Sequence, residues 1–234
     1  MSVLAPSAVG AVERTSPSWL ARLFSSSIGQ KVIMAVTGAA LSLFVLGHMA
    51  GNLNAFRSAE AMDAYGAALR KIPALLWGAR IGLLVAVGLH IWSYLALTRK
   101  SWAARPQGYR ATAYKEASYA SRTMRLTGPL LAAFVVYHIL HLTTGTVHAQ
   151  FEEGHVYHNL VTGLRVVPVA IFYLVAMLAL GLHLFHGVWS LSQSLGVSQP
   201  RHQSFARKLA TVFTVIVVGG FALIPLAVLA RFLK

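Results

Sequence analysis

Residues 166–191 read VVPVAIFYLVAMLALGLHLFHGVWSL, a run without a single charged side chain. About 20 mainly apolar residues are enough for a helix to cross the hydrocarbon core of a bilayer. The whole chain agrees with this reading, with a mean hydropathy of +0.63, 56% hydrophobic residues and 11% charged ones. A soluble domain carries about 25% charged residues. The sequence therefore predicts a polytopic membrane protein.

Four further runs resemble residues 166–191, and none of them contains Asp, Glu, Lys or Arg. Their approximate limits are Val32–Ala50, the stretch between Arg80 and Arg99, Leu126–Val147, and the stretch between Lys208 and Arg231. The connections between them are too short to hold a separate soluble domain. We therefore predict an all-α fold in which five transmembrane helices form a bundle.

The chain divides into two parts by this reading. Residues 1–30 are polar and are predicted to form a cytoplasmic lead-in, with a short interfacial helix at Trp19–Phe24. Residues 31–234 are predicted to form the membrane domain.

The positions of the bases predict how the chain lies in the membrane. The formal net charge is +14, and the loop of residues 99–125 carries seven bases against Glu116 alone. Because cytoplasmic loops carry an excess of Lys and Arg, the N-terminus is predicted to be cytoplasmic and the C-terminus outside. Anionic lipid headgroups and an acidic partner explain this charge better than nucleic acid does, because the bases lie between membrane spans.

The chain has no cysteine. This excludes disulfides and the thioether attachment of a c-type haem. It also excludes cysteine-ligated iron–sulfur clusters on this chain, so any such cluster belongs to a partner subunit.

Four of the spans each contain a histidine: His48, His90, His138 and His183. An ionisable residue inside a membrane helix is costly and usually functional. At 1.5 Å of rise per residue, His48 and His138 lie about 20–25 Å from the cytoplasmic end of their helices, and His90 and His183 about 13–15 Å. Pairing by depth gives His48 with His138 and His90 with His183. Two imidazoles at matched depth on neighbouring helices can ligate the iron of a b-type haem, so the pattern predicts two haems.

Depth leaves several alternatives open. His141 and His186 lie one turn beyond His138 and His183, and either fits the arithmetic equally well. Histidines that only hydrogen-bond within a helix bundle are a second interpretation. A haem-free, histidine-lined transporter is a third, although transport and proton paths usually include acidic residues, which these spans lack.

The order of several short motifs resembles the cytochrome b subunit of succinate:quinone oxidoreductases and fumarate reductases, of the type with one large anchor chain and two haems. The resemblance covers about residues 25–230 and rests on the order and spacing of these motifs: SSSIGQK (25–31), TG (37–38), GHM (47–49), LH (89–90) ahead of TRK (98–100), SRTMRLTG (121–128) before YH (137–138), and HLFHGVWS (183–190) before LG (195–196). The resemblance implies five membrane helices and two haems b. It also implies a flavoprotein partner with covalently bound FAD and an iron–sulfur partner, both on the cytoplasmic face.

The resemblance also implies roles for single residues. It makes His48, His90, His138 and His183 the iron ligands, in preference to His141 and His186. Some fumarate reductase members carry a glutamate just before the last ligand, which is proposed to move protons across the membrane. Gly181 and Leu182 stand there in this chain, which argues against such a route.

Other candidate site residues lie at the two membrane faces. Haem propionates need basic partners, and on the cytoplasmic side Arg99, Arg122 and Arg125 are the candidates. Ser27 and Lys31 are four residues apart, share a helix face, and resemble a Ser-x-x-x-Arg pair that lines a quinone pocket in related anchor subunits. For an outer quinone site, the candidate proton acceptors are Glu60 and Asp63.

The expected function is that of an electron-transfer anchor subunit in a prokaryotic cytoplasmic membrane. Electrons would pass between a partner's iron–sulfur cluster and menaquinone or ubiquinone through the two haems, while the dicarboxylate chemistry takes place on another chain. A higher oligomer of the whole complex is compatible with this. The alternative within electron transfer is the haem b subunit of another quinone-linked enzyme, such as a formate dehydrogenase or a hydrogenase.

Overall fold

The computed structural model of the chain describes residues 18–104, 119–194 and 203–234. The elements in these ranges are all helical, and no strand occurs among them. They are α1 (Trp19–Ser25), α2 (Ser27–Asn52), which continues into a 3₁₀ turn (Leu53–Phe56), α3 (Ala59–Arg70), α4 (Pro73–Ala103), α5 (Tyr119–Leu142), α6 (Val156–Arg165), α7 (Val167–Ser194) and α8 (Gln203–Leu229).

Five of these helices, α2, α4, α5, α7 and α8, are long and apolar enough to cross a membrane. The predicted all-α fold with five membrane helices is therefore confirmed. The two ends of the bundle are named here by what covers them. At the α1 end, α2 and α5 begin and α4 and α7 end, and at the α6 end the short helices α3 and α6 cover the bundle.

Local sequence explains where several helices begin. Ser18 and Ser26 cap α1 and α2, and their hydroxyls accept hydrogen bonds from the backbone N–H of Ala21 (3.2 Å) and Gly29 (3.0 Å). The short helix expected at Trp19–Phe24 is present as α1. Pro168 lies in the first turn of α7, where a proline removes no helical hydrogen bond.

The third span ends earlier than the sequence predicts. It was expected to reach Val147, but α5 ends at Leu142. Gly145 follows with φ = +72°, a left-handed conformation that favours glycine, and the ring of Phe151 lies against it. The chain therefore turns out of the helix before Val147.

The loop expected between the third and fourth spans contains a helix. In α6 one face is buried, with Leu160, Val161 and Leu164 among its residues. This face joins a core that includes Met62 of α3, Tyr173 of α7 and Val228 of α8. The α6 end of the bundle is therefore closed by a packed apolar layer.

The parts of the basic 99–125 segment that the structure describes are helical. Arg99 and Lys100 lie near the end of α4, and Arg122 and Arg125 lie near the start of α5. The remainder of this segment, residues 105–118, lies outside the described ranges, as do residues 1–17 of the lead-in and 195–202.

Pairwise packing leaves a cleft in the bundle. Helix α4 packs mainly on α2, and α5 packs mainly on α7, while α7 and α8 form the most extensive contact. Helices α2 and α7 also touch and join the two halves. The α2–α4 half and the α5–α7 half therefore face each other across a cleft, and the histidines lie in it.

Candidate functional site

Two pairs of histidine rings bridge the two halves of the bundle. The ring centroids of His48 on α2 and His138 on α5 are 5.8 Å apart. Those of His90 on α4 and His183 on α7 are 6.2 Å apart. The first pair lies toward the α6 end and the second toward the α1 end, so the structure brings together the same residues that depth pairs in the sequence.

The helices that carry each pair do not pack closely on each other. The principal neighbours of α4 are α2 and α3, and those of α5 are α7 and α6. All four rings are half-buried. A Cβ built on Gly47, beside His48, or on Gly88, near His90, would meet no atom within 4 Å.

The spacing of the rings suits a bound iron. If an iron lies between two imidazole nitrogens at about 2 Å from each, the ring centroids lie about 6 Å apart. Among the residues that the structure describes, no group of three or more His, Cys, Asp or Glu side chains converges as a metal site would require. The donor set is therefore two imidazoles per site, which is what a haem iron takes and a protein-only metal site does not.

A hydroxyl from the neighbouring helix orients His90. Thr37 Oγ1 lies 3.1 Å from His90 Nδ1 and donates its own proton to the carbonyl of Ile33 at 2.7 Å. With its proton directed to Ile33, the Thr37 oxygen is placed to accept from His90 Nδ1, an arrangement that leaves the lone pair on Nε2. Gly38 makes room for the ring, because a Cβ there would lie 3.2 Å from His90 Cε1.

The structure separates His138 from His141, which depth could not. His138 faces His48 and Phe134. The ring of His141 points toward α6, where its centroid lies 4.8 Å from that of His148 and where it packs on Gly163.

His183 and His186 also face different neighbours. His183 lies opposite His90, and the ring of His186 lies 6.4 Å from that of Trp189. Within the described residues, Nδ1 of each of these two rings is buried and has no hydrogen-bond partner. Among the described residues, neither His183 nor His186 therefore has a hydrogen-bond partner of the kind that Thr37 provides for His90.

Sequence reasoning missed Tyr173. Its hydroxyl lies 3.3 Å from His138 Nδ1 and 2.9 Å from His141 Nδ1, and its side chain is buried. The signal in the sequence is faint: a tyrosine inside an apolar span needs a hydrogen-bond partner for its hydroxyl. In the sequence, Thr37 stands out only as part of the TG motif at residues 37–38.

The three candidate partners for propionates lie at the α1 end. Arg99 is exposed, and the guanidinium of Arg125 lies 5.7 Å from the ring of Trp102, which connects α5 to the end of α4. The guanidinium of Arg122 lies 5.8 Å from the ring of Tyr119 on the same helix.

The quinone candidates lie in two groups at opposite ends of the bundle. Ser27 and Lys31 are both exposed at the start of α2, where Ser26 and not Ser27 is the N-cap. Glu60 and Asp63 lie on α3 at the opposite end of the bundle.

The two carboxylates on α3 have different surroundings. Asp63 accepts a hydrogen bond from the backbone N–H of Tyr157 at 2.8 Å, which ties α3 to the first turn of α6. Glu60 is exposed, and hydrogen bonds from its own backbone N–H and from the Ser58 hydroxyl lower the pKa of its carboxyl. Of these two carboxylates, only that of Glu60 has no hydrogen bond to another helix among the described residues.

Comparison with known proteins identifies one family. The model of the succinate dehydrogenase/fumarate reductase transmembrane subunit matches residues 103–223, slightly more than half of the chain. The matched stretch includes His138, His183 and Tyr173, whereas His48 and His90 lie before it. Neither the curated proteins nor the solved structures contain a significant match to this chain. The chain belongs to the succinate dehydrogenase/fumarate reductase transmembrane (cytochrome b) subunit family.

Proposed function

We propose that this chain holds two haems b and passes electrons between a partner iron–sulfur subunit and membrane quinone, as the anchor of a succinate:quinone oxidoreductase. The observation that carries the proposal is the pair of histidine bridges, 5.8 Å and 6.2 Å between ring centroids, at two depths of one cleft. The family favours this function over the haem b subunit of another enzyme and over a haem-free transporter.

In this proposal His48 with His138 and His90 with His183 are the axial ligands of the two irons. When bound, haem b supplies an iron that accepts and releases one electron at a time. The protein side chains hold the rings at a fixed separation and keep Nε2 of His90 unprotonated through the Thr37 contact. Apolar helices around the cleft keep water away from both sites.

The α1 end is proposed to face the cytoplasm and the partner subunits. The positive-inside rule supports this orientation, because the sequence segments on this side of the spans hold 13 of the 20 Lys and Arg residues. Arg99, Arg122 and Arg125 lie here, where they can pair with haem propionates. The flavoprotein and iron–sulfur subunits would dock on this face, with FAD and the clusters held entirely by them.

Quinone, either menaquinone or ubiquinone, is proposed to bind at the α1 end beside Ser27 and Lys31. Both side chains are exposed on one face of α2, so a hydroxyl and an ammonium are available to hydrogen-bond a quinone carbonyl. If a second quinone site exists at the α6 end, Glu60 is the better proton acceptor, because Asp63 already accepts from Tyr157.

A dithionite-reduced minus oxidised spectrum of the purified complex, with haem quantified per polypeptide, tests the proposal. Two haems b are expected in the wild type. His138→Ala and His183→Ala should each lose one, while the matched variants His141→Ala and His186→Ala should keep both. A protein without a Soret band, prepared with haem available, would end the cytochrome assignment, and loss of haem through His141 or His186 would overturn the ligand assignment.

A further inference from the structure

We propose that Tyr173 and His141 are positioning residues for His138: the Tyr173 oxygen accepts from His138, and its proton is drawn away by His141. The inference rests on the proposed role of His138 as an iron ligand. It assigns a role to the buried histidine that the proposed function leaves unused.

The hydroxyl of Tyr173 carries a single proton. The hydroxyl lies between Nδ1 of His138 at 3.3 Å and Nδ1 of His141 at 2.9 Å, and it can donate to only one of them. With Nδ1 of His138 occupied by this contact, the nitrogen left for iron is Nε2, which must be unprotonated. The proton of neutral His138 is then on Nδ1 and is donated to the tyrosine oxygen. The tyrosine proton is therefore donated to His141, at the shorter distance.

The neighbours of His141 support the same direction. Thr162 donates its proton to the carbonyl of His158 at 2.7 Å, so its oxygen accepts from Nε2 of His148 at 3.2 Å. The other nitrogen of His148, Nδ1, is buried and has no partner within the described residues. Burial, with a smaller contribution from the charge of His158, lowers the pKa of His148 and so favours its neutral form. The ring next to His141, 4.8 Å away between centroids, is thus neutral and adds no positive charge that would oppose a hydrogen bond from Tyr173 to His141.

Packing holds His141 in this position. The side chain is 2% exposed, its ring stacks on that of Tyr137 at 5.3 Å between centroids, and Gly163 of α6 leaves no room on the other side. An acceptor fixed in this way prevents the tyrosine proton from turning toward His138.

The other histidine pair provides an internal comparison. Thr37 is placed to accept from His90, because its proton is held by Ile33 within the same helix. The Tyr173 hydroxyl has no hydrogen bond to a carbonyl of its own helix among the described residues, and His141 Nδ1 is the acceptor of its proton instead. One ligand of each pair therefore faces a hydroxyl oxygen whose proton points elsewhere.

The consequence is a change in one haem's reduction potential. An acceptor on Nδ1–H raises the basicity of an imidazole ligand and so favours ferric iron. Removing the acceptor should shift the midpoint potential of that haem to a higher value. The shift should affect only the haem of the His48–His138 pair.

The test is a potentiometric titration of the whole complex in membranes, followed by optical spectra and by the low-spin ferric electron paramagnetic resonance signals. The variants are Tyr173→Phe, His141→Leu, His141→Asn and the double variant Y173F/H141L, with Thr37→Val as a matched change at the other pair. Phenylalanine keeps the ring and removes the oxygen, and asparagine keeps a polar acceptor near the position of Nδ1.

We expect Y173F and H141L each to raise the midpoint potential of one haem, the same one in both, while both haems stay bound. H141N should resemble the wild type, T37V should move the other haem, and the double variant should shift no further than Y173F alone, since His141 acts through the hydroxyl. An unchanged potential in Y173F, additive shifts in the double variant, or an H141N that behaves like H141L would overturn the inference. A wild type with two haems but no response to Y173F contradicts only this inference, whereas a wild type without haem contradicts the proposed function.

Discussion

At Gly163 a single missing methyl group determines where His141 can lie. A Cβ at this position would be 2.6 Å from both Cε1 and Nε2 of the His141 ring, and 3.3 Å from Cε1 of His148. Neither ring can withdraw easily, because Tyr137 stacks on His141 from the other side and Phe151 flanks His148. Glycine is needed here for close approach and not for its backbone freedom.

Gly163→Ala should therefore destabilise the protein by overpacking, by about 1–3 kcal/mol. The ring that must move is that of His141, which accepts the hydrogen bond from Tyr173. The variant should therefore also raise the midpoint potential of the same haem as H141L does. Thermal unfolding of the detergent-solubilised complex and a potentiometric titration measure the two effects. Gly82→Ala is the control, since a Cβ there meets no atom within 4 Å. Equal stability of the two variants would show that the ring positions around Gly163 are wrong.

Among the elements, α6 is a helix whose N-terminus is capped by a side chain from another helix. Its N-cap residue, His155, makes no side-chain capping hydrogen bond. Asp63 of α3 instead accepts from the N–H of Tyr157 in the first turn, where a negative charge also favours the helix dipole. The Asp63 carboxylate therefore caps the N-terminus of α6, although the two segments are far apart in the sequence.

Substitutions at Asp63 should separate this structural role from a role in quinone chemistry. Asp63→Ala should cost about 1 kcal/mol, the usual loss when a cap is removed, and should make the segment around α6 more sensitive to proteolysis from its side of the membrane. Asp63→Asn keeps an acceptor and should retain most of the succinate:quinone activity. Glu60→Gln is the matched change at the exposed carboxylate. If D63N lost activity with α6 still protected, Asp63 would be a proton acceptor after all.

How far the elements can be predicted follows from what delimits them. The five spans could be located because charges bracket apolar runs, and a bilayer tolerates little else. The end of α5 could not, because Thr143, Thr144 and Gly145 are uncharged and only the packing of Phe151 shows that the chain turns there. The sequence does not predict α6, because the apolar face of this helix is short and lies among histidines and glutamates.

The residues of the candidate site likewise differ in how well the sequence predicts their arrangement. Depth along a helix is a one-dimensional property, so the pairing of His48 with His138 and of His90 with His183 could be predicted without a structure. The choice between His138 and His141 depends on how α5 is rotated, and residues three apart face nearly the same way. The contact of Tyr173 with His138 and His141 depends on how both α5 and α7 are rotated about their axes, and no spacing in the sequence predicts it.

Over the whole molecule, charge is distributed unevenly between the two ends. Every acid among the described residues lies at the α6 end: Glu60, Asp63, Glu152 and Glu153. The described bases at the α1 end include Arg125, Arg207 and Lys208, so the excess of positive charge among the described residues is larger at this end. A face of one sign attracts a partner of the opposite sign and speeds its association, and salt weakens the attraction.

The rebinding of the proposed flavoprotein and iron–sulfur partners to membranes that contain only this chain should therefore depend on ionic strength. The double variant Arg207→Gln/Lys208→Gln, at the start of α8, should bind them more weakly at low salt and show a smaller loss on adding salt, because fewer charges remain to be screened. Arg70→Gln/Lys71→Gln removes the same charge at the α6 end and should bind as the wild type does. Restored succinate-dependent haem reduction reports binding in all three. A larger defect in the α6-end variant would place the partner subunits on the opposite face of the membrane and reverse the proposed orientation.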